Sequence, residues 1–373
     1  MSIEKQWCLF SAGAALLLGL SASAVGCRAE PQTGSGGAGG DGTGGEGATT
    51  VASSSSGMAG GAGGTGGGGA GGGGGSGGGE ACSGSEVTIE QITNEKAAGA
   101  VGKGSPVSVK GAVVMSQKFL VSKSSSSGTC LYGVFVSAPG LTETAPYSGI
   151  MVVSKGNNAV IPPGQQTSYC GKISNRFADD PLPGDSIPDD IKPGDVVDVI
   201  GVADYFLLNA CANEMNGSQV AQRQIAFACK VEKTGTATPP TPHAFTTADE
   251  IAKLASSTDK DFHDQWGGVK VRVGDVSPVP QPDPGGGSGD VVVGDFGIIK
   301  LSGSNLEVGD KLYYRGYDKQ TCYTGPMFSD INIKWTAIDG FGYLNYCTWG
   351  LQPNNKCADF NPASEDCSGV VCQ

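Results

Sequence analysis

The chain has 373 residues, of which 63 are glycine, with 24 basic against 36 acidic side chains, a net charge of −12 and a sequence pI near 4.6. That balance repels phosphate backbones and so disfavours nucleic acid as a partner. Two histidines in the whole chain leave little material for a catalytic triad or a histidine-rich metal centre.

At the N-terminus, Lys5 precedes an apolar run from Trp7 to Leu20 and then Ser21-Ala22-Ser23-Ala24-Val25-Gly26-Cys27. The run is short for a membrane span and ends in small residues, as a cleavable signal does. Ala24-Val25-Gly26-Cys27 resembles the lipobox of bacterial lipoproteins, although Ala24 stands where that family usually has Leu. The resemblance implies a signal peptide over 1–26, acylation of Cys27 and a lipid bilayer as one partner. Arg28, rather than Asp, follows the cysteine, which implies the outer membrane, with the protein facing the periplasm or the surface.

Residues 27–81 are predicted to be a disordered tether. Gly34 to Gly79 alone holds 26 of the 63 glycines, and such a stretch buries too little apolar surface to offset its ordering entropy. As a coil of about 46 residues it spans roughly 35 to 40 Å. The hydrolase-like Gly74-Gly75-Ser76-Gly77-Gly78 lies inside this tract without a flanking strand or helix and carries no nucleophile elbow.

Removing Cys8 with the signal and Cys27 by lipidation leaves ten cysteines: Cys82, Cys130, Cys170, Cys211, Cys229, Cys322, Cys347, Cys357, Cys367 and Cys372. An even set in an exported chain points to disulfides. No CxxC pair occurs, so no metal site and no cofactor is assigned. The crowding of Cys347, Cys357, Cys367 and Cys372 predicts a stapled coil over the last 30 residues.

The foldable part, 82–373, divides at the Thr/Pro run 234–242 into a first β domain, 82–233, and a second, 243–373. Each opens on a Thr-capped helical turn, Val87 to Ile92 and Thr246 to Ile251. Strands are predicted at Pro106 to Met115, Leu131 to Val136, Tyr147 to Val153 and, after the Lys192-Pro193-Gly194-Asp195 turn, up to Gly201. In the second half they are predicted at Trp266 to Val276, Gly294 to Leu301 and, led by Gly309-Asp310, up to Gly316. The shared order reads as an internal repeat, with a large insertion in the first copy. Val276 to Asp290 is too rich in Pro and Gly for a sheet. The fold class is all-β: two tandem barrels or small β-sandwiches stapled by disulfides.

Thr88-Ile89-Glu90-Gln91-Ile92, the Val107 to Val114 strand, Tyr147-Ser148-Gly149-Ile150, Pro193-Gly194-Asp195 with Asp204-Tyr205, Trp266-Gly267-Gly268-Val269 and Leu351-Gln352-Pro353 with Ala358-Asp359-Phe360 together resemble the OB-fold-like domains of secreted bacterial proteins. Such domains often accompany exported nucleases, so the resemblance implies a binding module, with an accessory or remnant of an extracellular hydrolase as the alternative.

No catalytic residue is assigned. His243, in the linker region, and His263, before Trp266, read as solvated. Asp179, Asp180, Asp185, Asp189 and Asp190 match no calcium-loop spacing and read as a solvated acidic loop. A groove for nucleic acid requires Lys110, Lys118, Lys123, Lys155 and Lys172 to gather on one face. Most of the aromatics, among them Phe119, Tyr132, Phe135, Tyr205, Phe206, Tyr313 and Tyr314, fit strand patterns in which core packing accounts for them. The function expected is therefore a non-enzymatic, membrane-anchored lipoprotein binding a protein or glycan partner.

Overall fold

The computed structural model describes residues 82–124, 129–157, 185–207, 211, 220–314, 328, 330–355 and 357–363. The protein is mostly β. The first half holds β1 (Ser85–Glu86), helix α1 (Ile89–Thr93), β2 (Pro106–Val114), β3 (Phe119–Ser124), β4 (Thr129–Ser137), β5 (Gly149–Asn157), β6 (Asp195–Phe206) and β7 (Gln222–Thr236). The second holds β8 (His243–Phe245), α2 (Ala248–Leu254), α3 (Lys260–Trp266), β9 (Lys270–Val273), β10 (Gln281–Pro282), β11 (Asp290–Val291), β12 (Ile299–Lys300), β13 (Glu307–Val308), α4 (Lys311–Tyr314), β14 (Ala337–Asn345), β15 (Thr348–Gln352) and β16 (Phe360–Asn361).

The first sheet runs β1-β2-β6-β7-β5-β4-β3, and β2 also pairs with β4, so the pairings of β2, β6, β7, β5 and β4 form a closed ring. Within it β5 and β7 are parallel, while β2–β6, β6–β7, β4–β5 and β2–β4 are antiparallel. The second sheet runs β12-β13-β15-β14-β9-β8. Its one parallel pairing away from β8 is β13–β15, and a bridge from Pro278 to Leu301 brings the chain just after β9 beside the end of β12. Apart from β3 the two paths correspond strand for strand, so a repeat is present, but its members are not all those expected: β14, and not the Gly309-Asp310 segment, stands where β6 does in the first half.

The repeat extends to the entry of each half. β1 lies parallel to β2 and β8 parallel to β9. Thr88 and Thr247 each cap the helix that follows, with Gln91 and Glu250 reaching back to the cap N–H groups. These reciprocal bonds satisfy backbone donors that a five- or seven-residue helix otherwise leaves to water.

Several expectations are corrected. β6 does not stop at Gly201 but runs to Phe206. The glycine is there because a Cβ would sit 2.6 Å from Ile225, where the β6–β7 register shifts opposite Phe227. A glycine inside a strand marks such a bulge as readily as an end. The Gly309-Asp310 segment opens no strand: Gly309 N–H donates to Leu351 O, Lys311 N–H donates to the side chain of Gln352, and the chain coils into α4. The strand that corresponds to β6 is β14. Trp266 belongs to α3, and the Pro/Gly loop holds the two-stranded hairpin β10–β11. The predicted C-terminal coil contains β15 and β16, with Trp349 and Leu351 fully buried. β7 runs on through Thr234 to Thr236, with Gly235 and Thr236 paired to β6 and Thr234 at a register shift.

Each sheet packs over its own apolar cluster. The first is built on Val107, Val109, Tyr132, Val134, Ile150, Val152, Val197 and Val199; the second on Val271, Val273, Ile299, Leu301, Val308, Trp335, Ile338 and Leu351. Backbones of the two halves meet at glycines. A Cβ on Gly149 would lie 2.5 Å from the Gly268 carbonyl oxygen and 2.7 Å from the Val269 Cα. Gly149→Ala is therefore expected to lower stability by about 1–3 kcal/mol, since two backbones must separate. Gly102→Ala, with nothing within 4 Å, should leave the melting temperature unchanged. Equal melting temperatures for the two variants in parallel scans would contradict this close approach.

Candidate functional site: the junction between the two sheets

In β4 and β5 both faces are apolar. Tyr132, Val134, Val136, Ile150 and Val152 point into the first core, while Phe135, Met151 and Val153 point the other way. That outward face, with Val113, Met115 and Phe119, packs against Leu312, Phe341 and Tyr343 of the second half. Phe135 stacks on Phe341 with ring centroids 4.3 Å apart and on Phe119 at 5.7 Å, and Tyr343 meets both edge-on. Such offset and edge-on pairs add to area burial. The signal was in the sequence: Val134-Phe135-Val136 and Ile150-Met151-Val152-Val153 are unbroken apolar runs, the mark of a strand buried on both faces.

Polar contacts surround the apolar centre. Gln117 N–H donates to Asn354 Oδ1 at 2.9 Å and its side-chain amide donates to Leu312 O at 3.0 Å. Tyr147 N–H donates to Gln265 O, Leu344 N–H to Gln222 Oε1, and Trp349 Nε1–H to Val220 O. The Cys211–Cys347 disulfide crosses the same junction, joining the segment between β6 and β7 to the tip of the β14–β15 hairpin.

A charge cluster lies at this boundary. Arg223, on β7, donates from Nε and Nη2 to the two oxygens of Asp264, on α3, at 2.8 and 2.9 Å, and from Nη2 to Glu95 at 2.7 Å. Lys260 bridges Asp264 and Glu95, and the Arg223 guanidinium lies 4.1 Å from the Tyr205 ring centroid. Burial opposes the charge on Arg223, but the bonds to Asp264 outweigh it and the pKa is raised. Bonds from Arg223 and Lys260 hold Glu95 below its usual range. Two cations and two carboxylates close the cluster on itself, so it ties β7 to α3 and presents no net charge.

His263 is corrected from solvated to buried. It stacks on Trp349 at 3.9 Å with its Nε2 against the Ser256 carbonyl, and its Nδ1 has no partner among the described residues. Burial pushes its pKa down to about 4, opposed by the Ser256 contact. Between about 6.5 and 4 the unfolded chain binds the proton and the native state does not, so stability falls as pH falls through that window. The loss is on the order of 3 kcal/mol by pH 4. Urea titrations at pH 7 and pH 4 should show it in the parent and not in His263→Phe; an equal acid loss in both would assign it elsewhere. His243 is half-buried in β8, bonded to Glu143 at 2.8 Å and stacked on Trp266.

The acidic loop is only partly solvated where it is described: the Asp185 side chain is buried, that of Asp189 largely so, and Asp190 is exposed. Lys118 Nζ donates to Asp185 and Asp189, each at 2.6 Å, and to Ile187 O at 2.7 Å, with the lysine and Asp185 side chains fully buried. Asp190 pairs with Lys233. Asp179 and Asp180 lie outside the described residues. Of the lysines considered for a groove, Lys118 is thus removed from any surface, Lys110 pairs with Asp198, Lys155 is exposed on β5, and Lys172 lies outside the described residues.

Among the cysteines, Cys82 bonds Cys229 and Cys211 bonds Cys347, while Cys130 and Cys357 are also disulfide-bonded. Cys27, Cys170, Cys322, Cys367 and Cys372 lie outside the described residues.

Fold and junction together define a mostly β, disulfide-containing protein of two repeated sheets docked face to face. Comparison with family models, with curated proteins and with solved structures finds no match for the chain.

Proposed function

We propose that the chain is a non-enzymatic lipoprotein of the cell envelope, acylated at Cys27, whose two OB-like barrels bind a protein or glycan partner. The pairing paths support the OB reading: in the first half five strands close in a Greek-key order with one parallel pair, β5–β7, and in the second the same strand order, with β13–β15 parallel, is open but for the single Pro278–Leu301 bridge. The observation that carries the binding role is what becomes of the barrel face that OB-folds use for oligonucleotides and oligosaccharides, that of strands two and three. In the first barrel these are β4 and β5, and their outer face is filled by Leu312, Phe341 and Tyr343. Recognition is left to the outer surface of a doubled body held off the membrane by the Gly-rich tract. The alternative, an accessory of an extracellular nuclease contacting nucleic acid, loses both this face and Lys118.

Two measurements test the reading. Cys27→Ala should abolish labelling by radioactive palmitate and move the protein from the membrane to the soluble fraction; unchanged membrane retention would remove the anchor. Labelled single-stranded DNA titrated with the full chain at low salt should show no rise in anisotropy. Salt-sensitive binding there would bring the nuclease-accessory reading forward.

A further inference from the structure

The segment from Gly274 to Ile299 contains neither Lys nor Arg and carries Asp275, Asp283, Asp290 and Asp295. Near its end the turn Asp295–Gly297 holds Phe296 at φ +59° with 80% of its surface exposed. A bulky aromatic in the left-handed region is an outlier, and such conformations persist only where the surroundings over-determine them.

Here they do. Gln281 donates from Nε2 to Val292 O at 3.1 Å and to Ile298 O at 2.9 Å, and Gly294 N–H donates to Ile298 O. The flanking glycines leave no slack: a Cβ on Gly294 would meet the Gln281 side chain at 2.5 Å, and one on Gly297 would meet the Asp310 carboxylate at 2.1 Å. Buried Val292 and Ile299 root the turn in the second core. The chain thus braces an acidic arm whose tip is a solvent-facing ring, with Val279, also exposed, on the same arm.

We propose that this arm is a docking element whose occupant is a protein with an apolar pocket ringed by Lys and Arg, Phe296 filling the pocket and Asp290 and Asp295 facing the basic rim. The inference rests on the binding-module reading and names its surface and partner class. Charge decides the occupant: the anionic headgroups of an envelope membrane and a second copy of a chain of net charge −12 both meet like charge at this arm. A buried aromatic anchor with a polar rim is the usual distribution of binding energy at such contacts.

The test uses the full chain and two fluorescein-labelled peptides, one alternating Lys with Leu and Trp, the other with Glu replacing every Lys. The cationic peptide should bind, and the acidic one should not. Phe296→Ser, at an exposed position outside both cores, should weaken binding at least about tenfold, and Asp290→Asn with Asp295→Asn should weaken it further and flatten its salt dependence. Phe296-independent binding of the cationic peptide overturns the arm assignment while leaving the binding-module reading in place. Absence of peptide binding, Phe296-dependent binding to anionic vesicles, or a dimer in sedimentation that Phe296→Ser abolishes, each overturns the proposed occupant.

Discussion

Lys118→Met is expected to lower unfolding free energy by about 3–5 kcal/mol, the range for removing one partner of a buried ion pair. The lysine holds two carboxylates and a carbonyl, and the Asp185 side chain it would abandon has no exposed surface. Because the cost is that of a stranded charge and not of the lost bond alone, Lys118→Met combined with Asp185→Leu should recover most of the loss. Lys110, exposed and paired with Asp198 at the surface, provides the control. Its attraction is screened by water and salt, so Lys110→Met should leave the denaturation midpoint within experimental scatter. Guanidinium titrations of the four proteins decide the matter: if Lys118→Met behaves like Lys110→Met, the loop that carries Asp185 and Asp189 is not closed over the lysine.

The second large effect is expected at the junction. Phe341→Ala removes a fully buried ring stacked on Phe135 and should cost about 3–5 kcal/mol. It should also change the form of the transition. The two cores are separate clusters, joined among the described residues through the Phe135, Phe341 and Tyr343 contacts, a set of hydrogen bonds, the Arg223–Asp264 pair and the Cys211–Cys347 disulfide. Weakening the apolar part of that joint should let one half melt before the other, so that the calorimetric enthalpy exceeds the van't Hoff enthalpy. A single cooperative transition at the parent's midpoint would show that the rings contribute little to coupling.

The local elements were legible where one short-range pattern sufficed. Thr88 and Thr247, each three residues ahead of a Gln or Glu, announced their helices because a capping box is closed by neighbours in sequence. The alternation in β6 and the strands β2, β4 and β5 were legible for the same reason. Gly201 and Gly309 misled, because a glycine records only that a side chain has no room or that the backbone is bent. What fills the space, Ile225 in one case and Gln352 in the other, comes from far along the chain.

The fate of charged and titratable residues was not legible at all. Asp185, Asp189 and His263 sit in polar stretches whose composition reads as solvated, yet Asp185 and His263 are buried, since Lys118 lies 67 residues from Asp185 and Trp349 of β15 closes over His263 of α3. The amino-acid order by itself determined the strand-rich class, the paired Thr-capped entries and the presence of a repeat, all set by periodicity and neighbouring side chains, but not that β14 is the counterpart of β6. Only the tertiary structure decided that the outer face of β4 and β5 is covered by the second half, that Cys211 meets Cys347, and that Phe296 is left in solvent while Phe341 is not. Those outcomes depend on which surfaces meet, and long-range contact between surfaces is fixed by packing of the whole chain.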